Sequence, residues 1–154
     1  MNFYLSSEQE SERFGINIAD IVKPPLIIGW QGEIGMGKTT IIRAMLKNLG
    51  VKSAVKSPTF NLVESYQTKL GVFYHFDLYR LKSLYDLEDL GFRDYLLDDP
   101  VCCIEWPANA PLLMPLLDVL ITIELSAQGG RNVHISAQTS VGKQFLHNLA
   151  AYKC

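Results

Sequence analysis

The residues of this chain best suited to chemistry form one stretch, Gly32–Thr39, which reads GEIGMGKT. It matches G-x-x-x-x-G-K-[ST], the pattern of a phosphate-binding loop, or P-loop. Glycines in such a loop let successive backbone N–H groups turn toward an anion. Lys38 is expected to reach the β- and γ-phosphates of a nucleotide, and the Thr39 hydroxyl is expected to bind Mg²⁺. The stretch therefore predicts a nucleotide-phosphate site.

Two acidic residues are placed to complete such a site. Nucleotide hydrolysis also needs a carboxylate that holds the metal or orients the attacking water. Glu105 ends the apolar run Val101–Ile104, which has the Walker-B form, and we predict it as a metal ligand. Asp77 ends the run Val72–Phe76, and its role stays open between a Mg²⁺ ligand and an orienter of water. Strand alternation puts His75 on the same face as Asp77, so the two are expected to share an environment.

Four further residues are candidates for contacts around the nucleotide. Thr59 follows Ser57-Pro58 and is interpreted either as a hydroxyl near the γ-phosphate or as simple turn chemistry. Arg80 and Arg131 are the arginines best placed to meet a nucleotide, although a solvated head is the commoner fate of a surface arginine. Trp106 directly follows the Walker-B-like run and packs either as a wall of the site or in the core.

The elements that must position these residues alternate between strands and helices. A strand is predicted at 26–31, before the P-loop, and an amphipathic helix follows from Thr39 to Leu49. Two hairpins are predicted, one joined by residues 67–71 and one by the turn at 128–130. This order predicts an α/β fold with a mixed sheet and helices on its faces. The predicted strands are 26–31, 60–66, 72–77, 101–104, 119–125 and 132–138, and the predicted helices begin at Ser6 or Ser7, Thr39, Ser83 and about 140.

The helix predicted after Ser83 has clear local signals. Ser83 and Asp86 have the spacing of a capping box, in which each side chain binds a backbone N–H of the first turn. Leu84, Leu87 and Leu90 recur at helical spacing and define its apolar stripe. Gly91 is expected to end or bend this helix.

Length and composition set the class of protein. The 154 residues fit one domain, 1–154, and 48% hydrophobic with 19% charged residues is ordinary for a globular chain. No apolar run approaches the roughly 20 residues that span a bilayer, and the polar segment Met1–Glu12 lacks the features of a signal peptide. We therefore expect a cytoplasmic protein. The net charge of −2 argues against a free-standing nucleic-acid binder, so any RNA connection is expected to run through a partner.

The cysteines and histidines predict neither a disulfide framework nor a zinc site. The three cysteines are odd in number, and Cys102 and Cys103 are adjacent, leaving Cys154. The three histidines are scattered and do not space with the cysteines as zinc ligands do. Core packing is therefore the predicted role of Cys102 and Cys103.

Several blocks of this sequence are more specific than the P-loop alone. On them the chain resembles the TsaE (YjeE) family, bacterial ATPases needed for threonylcarbamoyladenosine modification of tRNA. The resemblance spans nearly the whole chain in the family's order. The blocks are GEIGMGKTT at 32–40, SPTFNLV at 57–63, HFDLYRL at 75–81, EDLG at 88–91 and IEWP at 104–107.

The resemblance implies a P-loop NTPase-like fold, a three-layer α/β sandwich around a mixed central sheet. It implies ATP or ADP as ligand, with Mg²⁺ held by Thr39 and Glu105. Asp77, Lys38 and Glu105 would be the catalytic residues. The implied nucleotide contacts are Ser11, Gly32, Gly35, Met36, Gly37, Lys38, Thr39, Thr40 and Arg131.

Two positions depart from the family's pattern. Ser11 stands where family members often carry threonine beside the nucleotide. The usual Asp-Leu-Gly-Ala inside the loop is Glu33-Ile34-Gly35-Met36 here. The larger Met36 side chain fits this loop if it points away from the phosphates.

The resemblance also implies partners. Proteins of this family bind a complex of the threonylcarbamoyl transferase (TsaD) and its non-catalytic relative (TsaB), and ATP hydrolysis resets that complex between turnovers. The modified base is adenosine 37 of tRNAs that read ANN codons. Contact with tRNA would be indirect, through the complex, and no membrane is involved. ATP hydrolysis would be weak for the protein alone and stimulated by the partners.

Two alternatives stay open at this stage. A P-loop small-molecule kinase usually closes a lid with clustered arginines, whereas the five arginines of this chain are widely spaced. A nucleotide-gated binding module would differ only in that hydrolysis is not required. A GTPase is disfavoured because the chain lacks an [NT]-K-x-D base-reading motif.

Overall fold

The computed structural model describes residues 1–152, so Cys154 lies outside the described residues. Seven strands form one sheet, and helices cover both of its faces. The strands are β1 (Asn2–Leu5), β2 (Leu26–Gln31), β3 (Val63–Thr68), β4 (Gly71–Asp77), β5 (Val101–Glu105), β6 (Val119–Leu125) and β7 (Arg131–Ala137). The helices are α1 (Glu8–Ile21), α2 (Lys38–Asn48), α3 (Leu84–Asp89), α4 (Phe92–Tyr95) and α5 (Ser140–Ala151), with 3₁₀ segments at Pro107–Asn109 and Pro111–Leu116.

The sheet is mixed, with strand order β1-β7-β6-β2-β5-β4-β3. Its centre is parallel, since β2 pairs in parallel with both β5 and β6, and β4 pairs in parallel with β5. The outer pairs β3–β4, β6–β7 and β1–β7 are antiparallel. The two hairpins that the sequence predicts are therefore present, and the predicted mixed α/β sandwich is confirmed.

One face of the sheet is covered by α1, α2 and α5. The predicted N-cap of α1 is confirmed, because the Ser7 hydroxyl accepts a hydrogen bond from the Glu10 N–H at 3.2 Å. Helices α1 and α2 pack closely at Gly15, where a Cβ atom would clash with the Ile41 carbonyl oxygen. This layer buries most of the larger apolar cluster, including Ile18, Met45 and Trp30.

The other face carries α3, α4 and the two 3₁₀ segments over a smaller apolar cluster. Phe76 and Ile104 contribute to it from the sheet, and Phe92 and Leu113 from the covering layer. The predicted core packing of the adjacent cysteines is confirmed, since Cys102 faces this cluster and Cys103 faces the larger one. Burial raises the pKa of the Cys102 thiol to about 12, so it stays protonated at neutral pH.

Two features of the fold differ from the sequence-based expectation. Strand β1 was not predicted; it adds an edge to the sheet by pairing with β7. Strand β3 begins at Val63 rather than at 60, because Leu62 has a positive φ of 63° that interrupts the extended backbone. Within the described residues, no helix is long and apolar enough to span a membrane.

Candidate active site

The P-loop connects the end of β2 to the start of α2 and lies against β6 and β7. Gly32 has φ of +150°, and a Cβ atom there would clash with the Ile123 carbonyl oxygen. Gly37 has φ of +94° and precedes the first residue of α2; its Cβ atom would lie 3.4 Å from Arg131 Nε. Glycine at these two positions lets the loop backbone approach β6 and β7 closely. The loop directs the N-terminus of α2 into a cavity.

The cavity has a volume of about 500 Å³ and lies where β4 and β5 end beside the P-loop. This is the edge at which parallel α/β sheets bind ligands. Of the residues predicted for the site, the structure brings together at the cavity wall Ser11, Gly35, Gly37, Lys38, Thr39, Thr40, Asp77, Glu105 and Arg131. The wall is completed by Glu8, Ile34, Ser57, Thr59, Tyr79 and Trp106.

Two predicted nucleotide contacts do not line the cavity. Gly32 lies behind it, where its carbonyl oxygen accepts a hydrogen bond from Lys38 Nζ at 2.6 Å. The Met36 side chain packs against the larger apolar cluster, away from the cavity. The loop therefore accommodates methionine because its side chain points into the core.

Lys38 is almost fully buried at the centre of the site. Its Nζ atom donates to the carbonyl oxygens of Gly32 and Glu33, and it lies 4.4 Å from the centroid of the Trp106 ring. Burial lowers the pKa of Lys38 below its ordinary value, while the charges of Glu105, Asp77 and Glu33 act in the opposite direction. The acids of the site thus favour the charged form of the lysine.

Glu105 is buried and joins two elements of the core. Its Oε1 atom accepts a hydrogen bond from the Thr39 hydroxyl at 2.7 Å and lies 2.8 Å from His75 Nε2. Thr39 lies in the first turn of α2, and His75 lies in β4, on the sheet face that Glu105 also occupies. Because two donors from separate elements meet one oxygen, the position of the carboxylate is fixed.

The Thr39–Glu105 pair fits a magnesium ion by its donor chemistry. Mg²⁺ prefers oxygen ligands and is usually held by one or two carboxylates together with substrate phosphates. A hydroxyl and a carboxylate oxygen 2.7 Å apart at the end of the P-loop provide such a pair. No cluster of three or more His, Cys, Asp or Glu side chains suited to a metal occurs in residues 1–152.

Asp77 has different neighbours, although it pairs with Glu105 across β4 and β5. Its Oδ2 atom accepts hydrogen bonds from the Thr59 hydroxyl at 2.8 Å and from the Ser57 hydroxyl. Its Oδ1 atom accepts one from the Tyr79 N–H at 3.0 Å. Asp77 and His75 share a face of β4 as predicted, but they bind different partners.

The structure separates the two arginines that the sequence singled out. Arg131 lines the cavity, and its Nε atom is buried without a hydrogen-bond acceptor among the described residues. Arg80 is not part of the wall; its guanidinium lies over the exposed Phe60 ring, 4.5 Å from the centroid. Trp106 forms a wall of the site, with its ring 5.1 Å from that of Tyr79.

Sequence reasoning missed four residues of the cavity wall. Tyr79 follows Asp77 by two residues within a recognised block, and Ser57 lies beside Thr59, so both could have been found by their neighbours. Glu8 and Ile34 carry no such signal. Glu8 comes to the cavity only because α1 packs against α2 and brings its first turn to the P-loop.

Comparison with known proteins identifies one family. The family model described as threonylcarbamoyl adenosine biosynthesis protein TsaE matches residues 5–133. The chain is 38% identical over 148 residues to a tRNA threonylcarbamoyladenosine biosynthesis protein TsaE from Haemophilus influenzae, covering 93% of each chain. It is 31% identical to the protein of the same name from Treponema pallidum, covering 84% of this chain and 96% of that one.

A solved structure shares the fold. The crystal structure of YdiB from Bacillus subtilis superposes with a TM-score of 0.85 at 21% sequence identity. The superposition covers 100% of this chain and 96% of that one. With the family match over most of the chain, these similarities show that the chain belongs to the TsaE family of tRNA threonylcarbamoyladenosine biosynthesis proteins.

Proposed function

We propose that this protein is a Mg²⁺-dependent ATPase that acts with the threonylcarbamoyl transferase complex in modifying adenosine 37 of tRNAs reading ANN codons. One observation carries the proposal. The P-loop lysine, the Thr39–Glu105 pair and Asp77 all face the same cavity at the end of the parallel strands. A phosphate-binding loop, a metal-binding pair and a second acid are the parts that nucleotide hydrolysis requires.

The chain's own groups bind the triphosphate by charge and by backbone dipoles. The N-terminus of α2 directs its first N–H groups and its positive dipole end into the cavity, where Thr39 and Thr40 lie. Lys38 supplies a positive charge beside these groups. Arg131 supplies a second one from the start of β7, next to Gly37. These four residues would hold ATP or ADP, with Ser11 closing the wall from α1.

Thr39 and Glu105 would hold the magnesium ion. The ion supplies positive charge that neutralises phosphate oxygens. His75 contributes to this pair by donating to the Glu105 carboxylate from the buried side. A hydrogen bond to a metal-ligating side chain fixes the orientation of that side chain, so His75 would be a positioning residue.

Asp77 is the residue that would orient the attacking water. Its carboxylate lies at the cavity wall and is held by three donors, namely Ser57, Thr59 and the Tyr79 N–H. An acid held in this way accepts a hydrogen bond from water without first reorganising. We therefore propose Glu105 for metal binding and Asp77 for water orientation.

The arginines favour hydrolysis over phosphate transfer to a small molecule. Among the five arginines, all within the described residues, Arg131 alone lines the cavity. A kinase that closes over its transferred phosphate usually needs several. Transfer to water requires no pocket for a second substrate.

The partner assignment follows from family membership and charge. Proteins of this family act in threonylcarbamoyladenosine biosynthesis. With a net charge of −2, the chain lacks the excess of basic residues that would bind tRNA directly. We therefore propose that the chain binds protein partners, the TsaD-like transferase and the TsaB-like subunit, in the cytoplasm.

A nucleotide-gated binding module is the second candidate. The observation that favours it is the bonding of Asp77 to Ser57 and Thr59, both in the connection between α2 and β3. A bound γ-phosphate could reorder this connection, and binding alone would then control the partner. The two candidates differ in whether hydrolysis is required.

The test measures ATP hydrolysis and tRNA modification with the same variants. Purified protein is assayed for Mg²⁺-ATPase activity with and without the transferase complex, and depleted cells are assayed for modified adenosine. Lys38→Ala should lose nucleotide binding and fail in both assays. Asp77→Asn should bind ATP and hydrolyse it about 10²-fold more slowly than the parent. If Asp77→Asn restores modification in cells, the gated module is correct, and if Lys38→Ala hydrolyses ATP at the parent's rate, the ATPase site is wrongly placed.

A further inference from the structure

We propose that a groove on the sheet face covered by α3 and α4 docks a basic, apolar helix of the transferase complex. This inference rests on the proposed function, because that function supplies the partner. The groove lies between α3, α4 and the second 3₁₀ segment and has a volume of about 330 Å³. We call it the leucine groove and define it by six apolar residues, Leu84, Leu87, Phe92, Leu112, Leu113 and Leu116.

The leucine groove exposes apolar surface that the fold does not cover. Leu87, Phe92 and Leu113 form its buried floor, which belongs to the smaller apolar cluster. On the rim, Leu112 is 64% exposed and Leu116 is 45% exposed. Single exposed leucines are ordinary, but several around one cavity form a patch whose burial favours association.

The charge around the leucine groove indicates what kind of partner fits. Residues 84–99 carry a net charge of −5, whereas the whole chain carries −2. The residues outside this segment therefore sum to a slightly basic charge. Two of the acids, Glu88 and Asp94, line the groove itself together with Arg93, so the charged residues of the lining sum to −1. The acidic residues of this segment are Asp86, Glu88, Asp89, Asp94, Asp98 and Asp99, and the basic one is Arg93.

This charge disfavours three other occupants. An RNA backbone and an anionic lipid surface would both be repelled by an acidic rim. A second copy of the chain in a symmetric dimer would bring two such rims together, and like charges at an interface oppose association. A segment with lysine or arginine beside apolar side chains would pair its charges with the acidic rim and bury its apolar side chains on the floor.

The position of the groove between helical elements favours a helix as the docked segment. Apolar grooves between helical elements bind amphipathic helices through side chains at i and i+4. A cavity of about 330 Å³ takes a small number of such anchors. The inferred segment therefore carries leucine-sized residues one turn apart, with lysine or arginine on the flanks to meet Glu88 and Asp94.

Two variants test the apolar and the acidic parts of the groove separately. Leu112→Ser removes a largely exposed apolar rim residue and leaves the core intact. Glu88→Lys reverses a charge in the last turn of α3, where a cation suits the helix dipole and should not weaken folding. Leu125→Ser is the matched control, because Leu125 is 70% exposed at the end of β6, outside the groove.

Binding of each full-length variant to the purified transferase complex is measured by titration calorimetry at two salt concentrations. Leu112→Ser and Glu88→Lys should each raise the dissociation constant about tenfold or more, the range of central interface residues. Leu125→Ser should bind like the parent. The loss in Glu88→Lys should shrink at high salt, because screening weakens the attraction that it removes. The ATPase activity of each variant alone should stay within about twofold of the parent's.

The outcomes separate this inference from the function on which it rests. If the parent binds the complex and both groove variants bind equally well, the groove is wrong while the function stands. If the parent does not bind the complex at all, the partner assignment fails and the groove proposal fails with it. A parent that sediments as a dimer and a Leu112→Ser variant that sediments as a monomer would assign the groove to a second copy, which also overturns the proposal.

Discussion

Glu105 and Asp77 lie side by side at the ends of two paired strands, yet their surroundings differ in kind. Glu105 is bonded to Thr39 of α2 and His75 of β4, both parts of the packed core. Asp77 is bonded to Ser57 and Thr59, which belong to the connection between α2 and β3. One carboxylate is thus held by regular elements, and the other is held mainly by a loop.

This difference would let one cavity combine the proposed metal site, which is fixed, with a part that can move. A metal ligand has to keep its position, and bonds to a helix and a strand provide this. A loop tied to a carboxylate by hydroxyl groups can exchange those bonds when a ligand offers others, as switch segments do. We therefore expect changes at Glu105 to act on Mg²⁺ and changes at Asp77 to act on turnover.

The largest effect is expected from Glu105→Gln, which keeps the shape of the side chain and removes its charge. ATP hydrolysis should fall on the order of 10³-fold, because a metal ion supplies several kcal/mol of charge stabilisation. Nucleotide affinity should also lose its dependence on Mg²⁺, measured by titrating ATP in magnesium and in EDTA. Retention of the magnesium effect would show that Glu105 is not a ligand.

Asp77→Asn should have the next largest effect and a different signature. Turnover should fall about 10²-fold, a typical contribution of a positioned acid or base. The affinity for ATP with Mg²⁺ should change by less than about threefold, because the P-loop and the metal pair are untouched. A variant that loses its magnesium-dependent affinity instead would move the metal site from Glu105 toward Asp77.

Replacement of His75 separates positioning from packing on the Glu105 side. His75→Phe keeps a buried ring and removes the donor, so the Mg²⁺ concentration for half-maximal ATP binding should rise about tenfold. His75→Gln places an amide N–H near the position of Nε2 and should recover most of that loss. Equal behaviour of the two variants, with unchanged thermal stability, would leave His75 with a packing role only.

The smallest expected effect concerns the pKa of Lys38, which both acids influence. Burial lowers this pKa below 10.5, so the folded protein loses the lysine proton at a lower pH than the unfolded chain. Between the two values stability therefore rises with pH, while affinity for ATP falls with the lost charge. Because Asp77 opposes the lowering, Asp77→Asn should shift the fall in ATP affinity to lower pH, measured by titration from neutral to alkaline pH. Titration curves that coincide would remove Asp77 from the charge balance of the lysine.

The fold was predictable from sequence where the signals were local. The P-loop glycines, the cap at Ser7 and the capping box at Ser83 depend on residues within a few positions, and each predicts a helix start that the structure has. The two hairpins were readable from their turns and were sufficient to predict a mixed sheet. Strand β1 was not, because it has four residues and pairs with residues more than 120 positions away.

The contacts of the site were harder to predict than its members. The bond between His75 and Glu105 depends on the register of β4 against β5, which pairs His75 with Cys103 and cannot be read from either strand alone. The leucine groove could not be predicted from the sequence for a related reason. A stripe of Leu84, Leu87 and Leu90 predicts burial, but Leu84 is 41% exposed because no other element within residues 1–152 covers that end of α3.

Asp77 and Leu78 are consecutive residues, and they connect the cavity to the smaller apolar cluster. Asp77 faces the cavity, whereas Leu78 is fully buried in the cluster that also forms the floor of the leucine groove. The rigid peptide plane between them couples their displacements, and Asn109 binds the Leu78 carbonyl oxygen from the covering layer. One peptide bond thus joins the acid at the cavity wall to the apolar cluster beneath the leucine groove. If the proposed hydrolysis relaxes Asp77, the displacement would reach the far side of the sheet through this single bond.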